Sequence, residues 1–85
     1  MNRKKLFKKL LSGSKNIRFA EVKSVAEAVG FELERVNGSH HIFSHPNIPE
    51  LLNLQNYKGQ AKPYQISQLL KLIERHDLTV DDLES

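Results

Sequence analysis

The spacing of apolar side chains changes period twice along this 85-residue chain, and that change limits its fold more than any other feature. Leu6, Phe7, Leu10 and Leu11, then Phe19, Val22, Val25, Ala26 and Val29, recur at the three-and-four spacing of one helix face. From Phe31 to Gln55 the period falls to two. Phe31 and Leu33 alternate with Glu32 and Glu34, the turn pair Asn37-Gly38 follows, and His41-Ile42-Phe43 runs back. Leu52 and Leu54 then alternate with Asn53 and Gln55. Beyond Pro63, Ile66, Leu69, Leu70 and Ile73 restore the helical spacing.

These patterns predict helices over about 3–12 and 18–29, a hairpin, a third strand over 51–55 and a last helix from Pro63 to His76 or Asp77. Ser12-Gly13-Ser14 ends the first helix, Gly30 stops the second, and Pro46 and Pro49 bound a loop. The order is α-α-β-β-β-α, an α+β fold. One three-stranded antiparallel sheet with helices on one face is the simplest arrangement that buries every apolar stripe. Its other face is left for solvent or a partner.

A chain of this size allows one domain with one modest core. It has no cysteine, which removes disulfides and thiolate metal sites. No apolar run is long enough to span a bilayer, and the basic N-terminus lacks the apolar stretch of a signal peptide. A cytoplasmic protein is expected. The net charge of +3 is unevenly spread: residues 1–18 carry seven Lys or Arg and no acid, which leaves −4 for residues 19–85. Such a basic end suits phosphate backbones or an acidic protein, although a solvated helix face has the same composition. The expected division is a basic helical extension over 1–16, a core over 17–78 and an acidic tail over 79–85.

Three of the four histidines, His40, His41 and His45, lie within six residues after Asn37-Gly38. Neighbouring strand residues point to opposite faces, and His41 and His45 are roughly 13 Å apart along an extended strand. That spacing does not suit one metal ion, and no metal or other cofactor is expected. Imidazole does suit proton transfer near neutral pH. RNA supplies its own nucleophile in the 2′-hydroxyl, so a proton acceptor, a proton donor and cations are enough to cleave it.

Gly30-Phe31, Arg35, the run Gly38-Ser39-His40-His41-Ile42-Phe43 and His45-Pro46 together resemble the HicA (YcfA-like) family, over roughly residues 17–78. The resemblance implies a fold like the double-stranded RNA-binding domain and a small RNA-cleaving toxin of a toxin–antitoxin pair. It also implies mRNA as substrate, no metal requirement, a HicB-like antitoxin as partner and a catalytic histidine in the Gly-Ser-His motif. Many relatives end the third strand with Pro-His, whereas Gln55-Asn56 stands here. Residues 57–65 differ from the shorter basic linker of small relatives, and the first helix is an addition.

The motif favours His40 as the catalytic group. Hairpin parity leaves the choice open. With Asn37-Gly38 as the central turn pair, Leu33 faces Ile42 in the core, His40 points inward, and His41 points outward beside Glu34. If Phe43 is the buried residue, the parity reverses and His40 is exposed, which a bulge at Gly38 would allow. Gly38 and Ser39 shape the turn, and Arg35, Lys58 and Lys62 offset phosphate charge. Tyr57 and Tyr64 are candidates either for base stacking or for packing on the last helix. His45 reads as a loop residue with a local hydrogen bond, and His76 as a charge partner at a helix C-terminus. Two other classes of function fit the same residues: an RNA-binding module without catalysis, and an interaction domain for an acidic partner.

Overall fold

A computed structural model of the chain describes residues 3–13 and 17–78. The acidic tail over 79–85 lies outside the described residues, as do Lys15 and the side chain of Leu6. The elements are α1 (Arg3–Leu11), α2 (Phe19–Ala28), β1 (Glu32–Asn37), β2 (His40–His45), β3 (Ile48–Gln55) and α3 (Pro63–Arg75). The three strands form one antiparallel sheet in the order β1-β2-β3, with the helices on one face. This is the α-α-β-β-β-α, double-stranded RNA-binding-domain-like arrangement expected from the periods.

Helices α2 and α3 begin and end for local chemical reasons. The Glu21 carboxylate accepts the Arg18 N–H at 2.9 Å and satisfies the first free donor of α2. At the other end Gly30 takes φ +105°, and Phe31 N–H bonds Ala26 O while Gly30 N–H bonds Glu27 O. That pair of bonds is a Schellman stop, and it needs a positive φ at residue 30. Helix α3 begins at Pro63, whose missing N–H costs nothing at a first turn. It closes with the same two bonds, this time around Asp77 at φ +48°.

The core lies between the sheet and α2 and α3. Val22, Val25 and Ala26 from α2, Leu69 from α3, and Phe43, Leu52 and Leu54 from the sheet are all completely buried. Leu10 of α1 and Ile17 join them, so α1 is packed into the same core. Full burial of one such side chain contributes about 1.5–3 kcal/mol.

Two expectations are corrected. Asn37 pairs with His40, so the two-residue loop is Gly38-Ser39 and not Asn37-Gly38. Gly38 supplies the positive φ (+62°) at the first central position, as a II′ turn requires. The register places Phe43 inward and Ile42 on the open face, while Leu33 is 42% exposed on β1. An irregularity does accompany this parity, but between Leu33 and Arg35 and not at Gly38. The segment from Pro46 to Pro49 is likewise not a loop. Pro46-Asn47 is a tight turn, and β3 already runs from Ile48, with Pro49 inside it. A proline is tolerated there because β3 is an edge strand, where a missing N–H can face solvent.

Candidate active site

His40 and His41 open the central strand directly after the Gly38-Ser39 turn, and the pleat sends them to opposite faces. His40 lies between Asn37 of β1 and Gln55 of β3, on the face the helices leave open. Its Nδ1 is 3.2 Å from Asn53 Oδ1. An amide oxygen only accepts, so Nδ1–H is the donor, and in the neutral ring Nε2 carries the lone pair. Arg35, opposite Ile42, shares this face and is exposed.

His41 faces the helices, between Val36 and Leu54. Its ring packs on Phe19 at the start of α2, with centroids 4.5 Å apart and planes tilted by 50°. His41 Nδ1–H donates to Ser39 O at 3.1 Å. Ser39 is the junction of this corner. Its carbonyl also accepts the Asn56 N–H at 2.9 Å, and its hydroxyl is 3.3 Å from Gln55 Nε2. The Gln55 N–H is held in turn by the Oε1 of buried Gln65 at 2.7 Å. The turn, the end of β3 and the start of α3 are therefore tied into one unit.

Apart from His41, which faces the helices, the site residues expected from sequence fall into two groups. Arg35, Gly38, Ser39 and His40 gather at one end of the open face. Lys58 and Lys62 sit beyond the end of β3, where both ammonium groups approach the Tyr57 ring, at 5.6 and 5.4 Å from its centroid. Tyr57 and Tyr64 are both mostly exposed and do not pack into the core. Sequence reasoning passed over Asn53 and Phe19, the residues that orient the two imidazoles. The only signal for Asn53 was a polar residue at an alternate position of β3, and its meaning depends on a register the sequence left open.

The other two histidines serve the fold. His45 is a buried residue at the end of β2, which corrects the loop expectation. Its Nδ1 accepts the Asn47 N–H at 3.1 Å, so Nε2–H donates to Val29 O at 2.9 Å. His76 caps α3 and meets Glu50 Oε2 at 3.0 Å, alongside Arg75 at 3.2 Å. These contacts, His76 first, hold the Glu50 carboxyl below its ordinary value. Among the described residues, no group of three His, Asp or Glu side chains converges as a metal site would require.

The model of one protein family, the HicA toxin of bacterial toxin–antitoxin systems, matches residues 19–74, about two thirds of the chain. This chain belongs to the HicA toxin family. No curated protein matched it. The HicA match opens at the first residue of α2 and closes inside α3, so it spans the α-β-β-β-α unit and both imidazoles. Helix α1 lies outside the matched span although Leu10 is in the core. Membership makes the chain the toxin of a toxin–antitoxin pair and implies a HicB antitoxin as its partner. Among the described residues, no helix is long and apolar enough to cross a membrane.

Proposed function

We propose that this HicA-family toxin is an endoribonuclease that cuts mRNA and blocks translation, with His40 as its proton-transfer group. The observation that carries the reading is the His40 ring: Nδ1 is held by Asn53, while Nε2 makes no hydrogen bond among the described residues. The reaction needs no residue as nucleophile. His40 Nε2 takes the proton of a 2′-hydroxyl, whose oxygen forms a bond to the adjacent phosphorus. The bond from phosphorus to the 5′-oxygen breaks, and that oxygen leaves with a proton returned by the imidazolium or by water. The products are a 2′,3′-cyclic phosphate and a 5′-hydroxyl. Arg35 on the same face offsets charge on the pentavalent phosphate, with Lys58 and Lys62 beyond the end of β3. Gly38 and Ser39 set the turn that presents the imidazole. A HicB-like antitoxin inhibits by covering this corner.

His41 is the weaker candidate, because its ring lies against Phe19 and its Nδ1 is tied to the backbone of its own turn. The test compares wild type, His40→Ala and His41→Ala on a labelled mRNA fragment, with thermal unfolding measured on each. His40→Ala should lose roughly 10²–10⁴-fold in cleavage with little change in melting. His41→Ala should keep most of its activity and melt lower. A substrate carrying 2′-deoxyribose at the cut site should survive intact. Undiminished cleavage by His40→Ala would refute the assignment, and wild type that binds RNA without cutting it would leave a non-catalytic RNA-binding module.

A further inference from the structure

We propose that Tyr57, Lys58 and Lys62 form a clamp for one unpaired nucleotide, its base on the Tyr57 ring and its phosphate between the two ammonium groups. The proposal rests on the ribonuclease reading above and assigns to it a substrate form: RNA that is single-stranded next to the cut.

The clamp is a built structure. Tyr57 and Gln60 exchange two backbone hydrogen bonds of 2.9 Å, so Lys58 and Gly59 are the central pair of a tight turn. Both have positive φ, +51° and +84°. A left-handed conformation is ordinary for glycine and unfavourable for lysine. The chain thus holds an ammonium group at a position where asparagine or glycine would fold more easily. Backbone strain of this kind collects at working sites.

The turn is fixed in place on three sides. Gly59 N–H bonds Asn56 Oδ1 at 2.8 Å, Phe19 N–H bonds Gly59 O at 2.9 Å, and Ala61 N–H bonds Ile17 O at 3.1 Å. Asn56 N–H, one residue before Tyr57, is held by Ser39 O in the hairpin turn. The clamp is therefore in register with the imidazoles. Tyr57 lies two residues beyond Gln55, the cross-strand partner of His40, which is roughly 7 Å of strand.

The side chains have the chemistry of a nucleotide site. Tyr57 is 52% exposed, so an aromatic face is available to a base. Two like charges converge on that ring, and among the described residues neither is paired with a carboxylate. Cations brought together without a counter-ion are a place for an anion, and their flexible stems let them swing from the ring to a phosphate as a base stacks. A base inside a duplex has both faces covered. Stacking on Tyr57 therefore selects unpaired RNA, unlike the shape reading by which related folds hold duplexes.

The test measures binding with no chemistry, by fluorescence anisotropy of a short 2′-O-methylated RNA at several salt concentrations, as a single strand and as a duplex. Tyr57→Ala should weaken single-strand binding roughly 5- to 100-fold and leave duplex binding within about twofold. Tyr57→Phe should bind like wild type. Lys58→Gly, which relieves the left-handed strain, should melt higher than wild type and yet reduce the salt slope by about one. Equal loss on both RNA forms, or no loss in Tyr57→Ala, overturns the clamp. So does a Tyr57→Ala protein that binds RNA normally but escapes its antitoxin, since Tyr57 would then be a protein contact. Single-strand binding by wild type that cleaves nothing removes the ribonuclease reading and leaves the clamp standing. Absence of RNA binding at low salt removes both.

Discussion

Gly30→Ala tests how the fold holds the strand that carries the imidazoles. A Cβ on Gly30 would stand 2.7 Å from His45 Nε2 and 3.2 Å from its Cδ2, well inside contact distance. The backbone there has φ +105°, a conformation that costs an L-residue about 1–2 kcal/mol. The Cβ also forces the His45 ring aside, and Nε2–H then loses Val29 O, its buried partner at 2.9 Å. Unpairing a buried donor and acceptor costs about 1–3 kcal/mol more. The sum, about 2–5 kcal/mol, is a large part of the stability of a small domain. It corresponds to a fall in melting temperature of at least about 8 °C. The control is Gly38→Ala, where φ is +62° and nothing lies within 4 Å of the added Cβ, so only the backbone cost of about 1–2 kcal/mol applies. Urea unfolding of both variants, and of each combined with His45→Ala, separates strain from clash. In the His45→Ala background the penalty of Gly30→Ala should shrink toward that of Gly38→Ala. Equal destabilisation by the two glycine substitutions in the wild-type background would refute the contact argument. The result also guards the histidine assay: His45→Ala removes a fold contact far from chemistry, so any toxicity it loses should follow its lowered stability.

Three further outcomes follow from particular contacts. Leu10→Ala should cost about 2–5 kcal/mol in urea unfolding, because α1 fills the core from outside the family-matched span. Glu21→Gln should cost about 1 kcal/mol at pH 7. The Arg18 N–H, and then the Lys9 ammonium at 3.1 Å, hold the Glu21 carboxyl below its ordinary value of 4.5. A lowered folded value means stability that is present above pH 4.5 and lost as pH falls through the folded value, so the gap between wild type and Glu21→Gln should close below pH 4.5. Gln65→Leu should destabilise by about 1–3 kcal/mol by orphaning the Gln55 N–H, and it should reduce RNA cleavage because Gln55 no longer fixes the Ser39 turn.

The sequence carried the elements and their order because the apolar period is a property of each segment alone. Phe19 to Val29 reads as a helix and Leu52 to Gln55 as a strand whatever surrounds them. Pro49 reads as a loop boundary because a proline ends a central strand but is tolerated in an edge strand, and a segment does not reveal which it is. His45 reads as a loop residue for a related reason. Its partners are the Val29 carbonyl, sixteen residues away, and the N–H of a turn that only the strand pairing creates.

The parity of β2 is the part on which function depends, and local chemistry pointed the wrong way. Asn-Gly is the better turn pair, and Gly-Ser one residue later forms a turn of comparable length. A one-residue shift exchanges every side chain between faces. With Asn37-Gly38 at the centre, Ile42 would take the buried position and Phe43 would turn to the open face, giving up burial of a phenyl ring worth about 1.5–3 kcal/mol. The observed register turns Arg35 to the open face and buries Phe43, and the cost falls on β1, where Leu33 and Val36 are left 42% and 53% exposed. His45 comes inward with Phe43 and needs its two hydrogen bonds for that reason. His40 goes outward with Arg35, so the imidazole and the guanidinium meet solvent together because the phenyl ring opposes the other register. The exposure of the candidate catalytic group is thus decided by Phe43, and not by the histidines themselves.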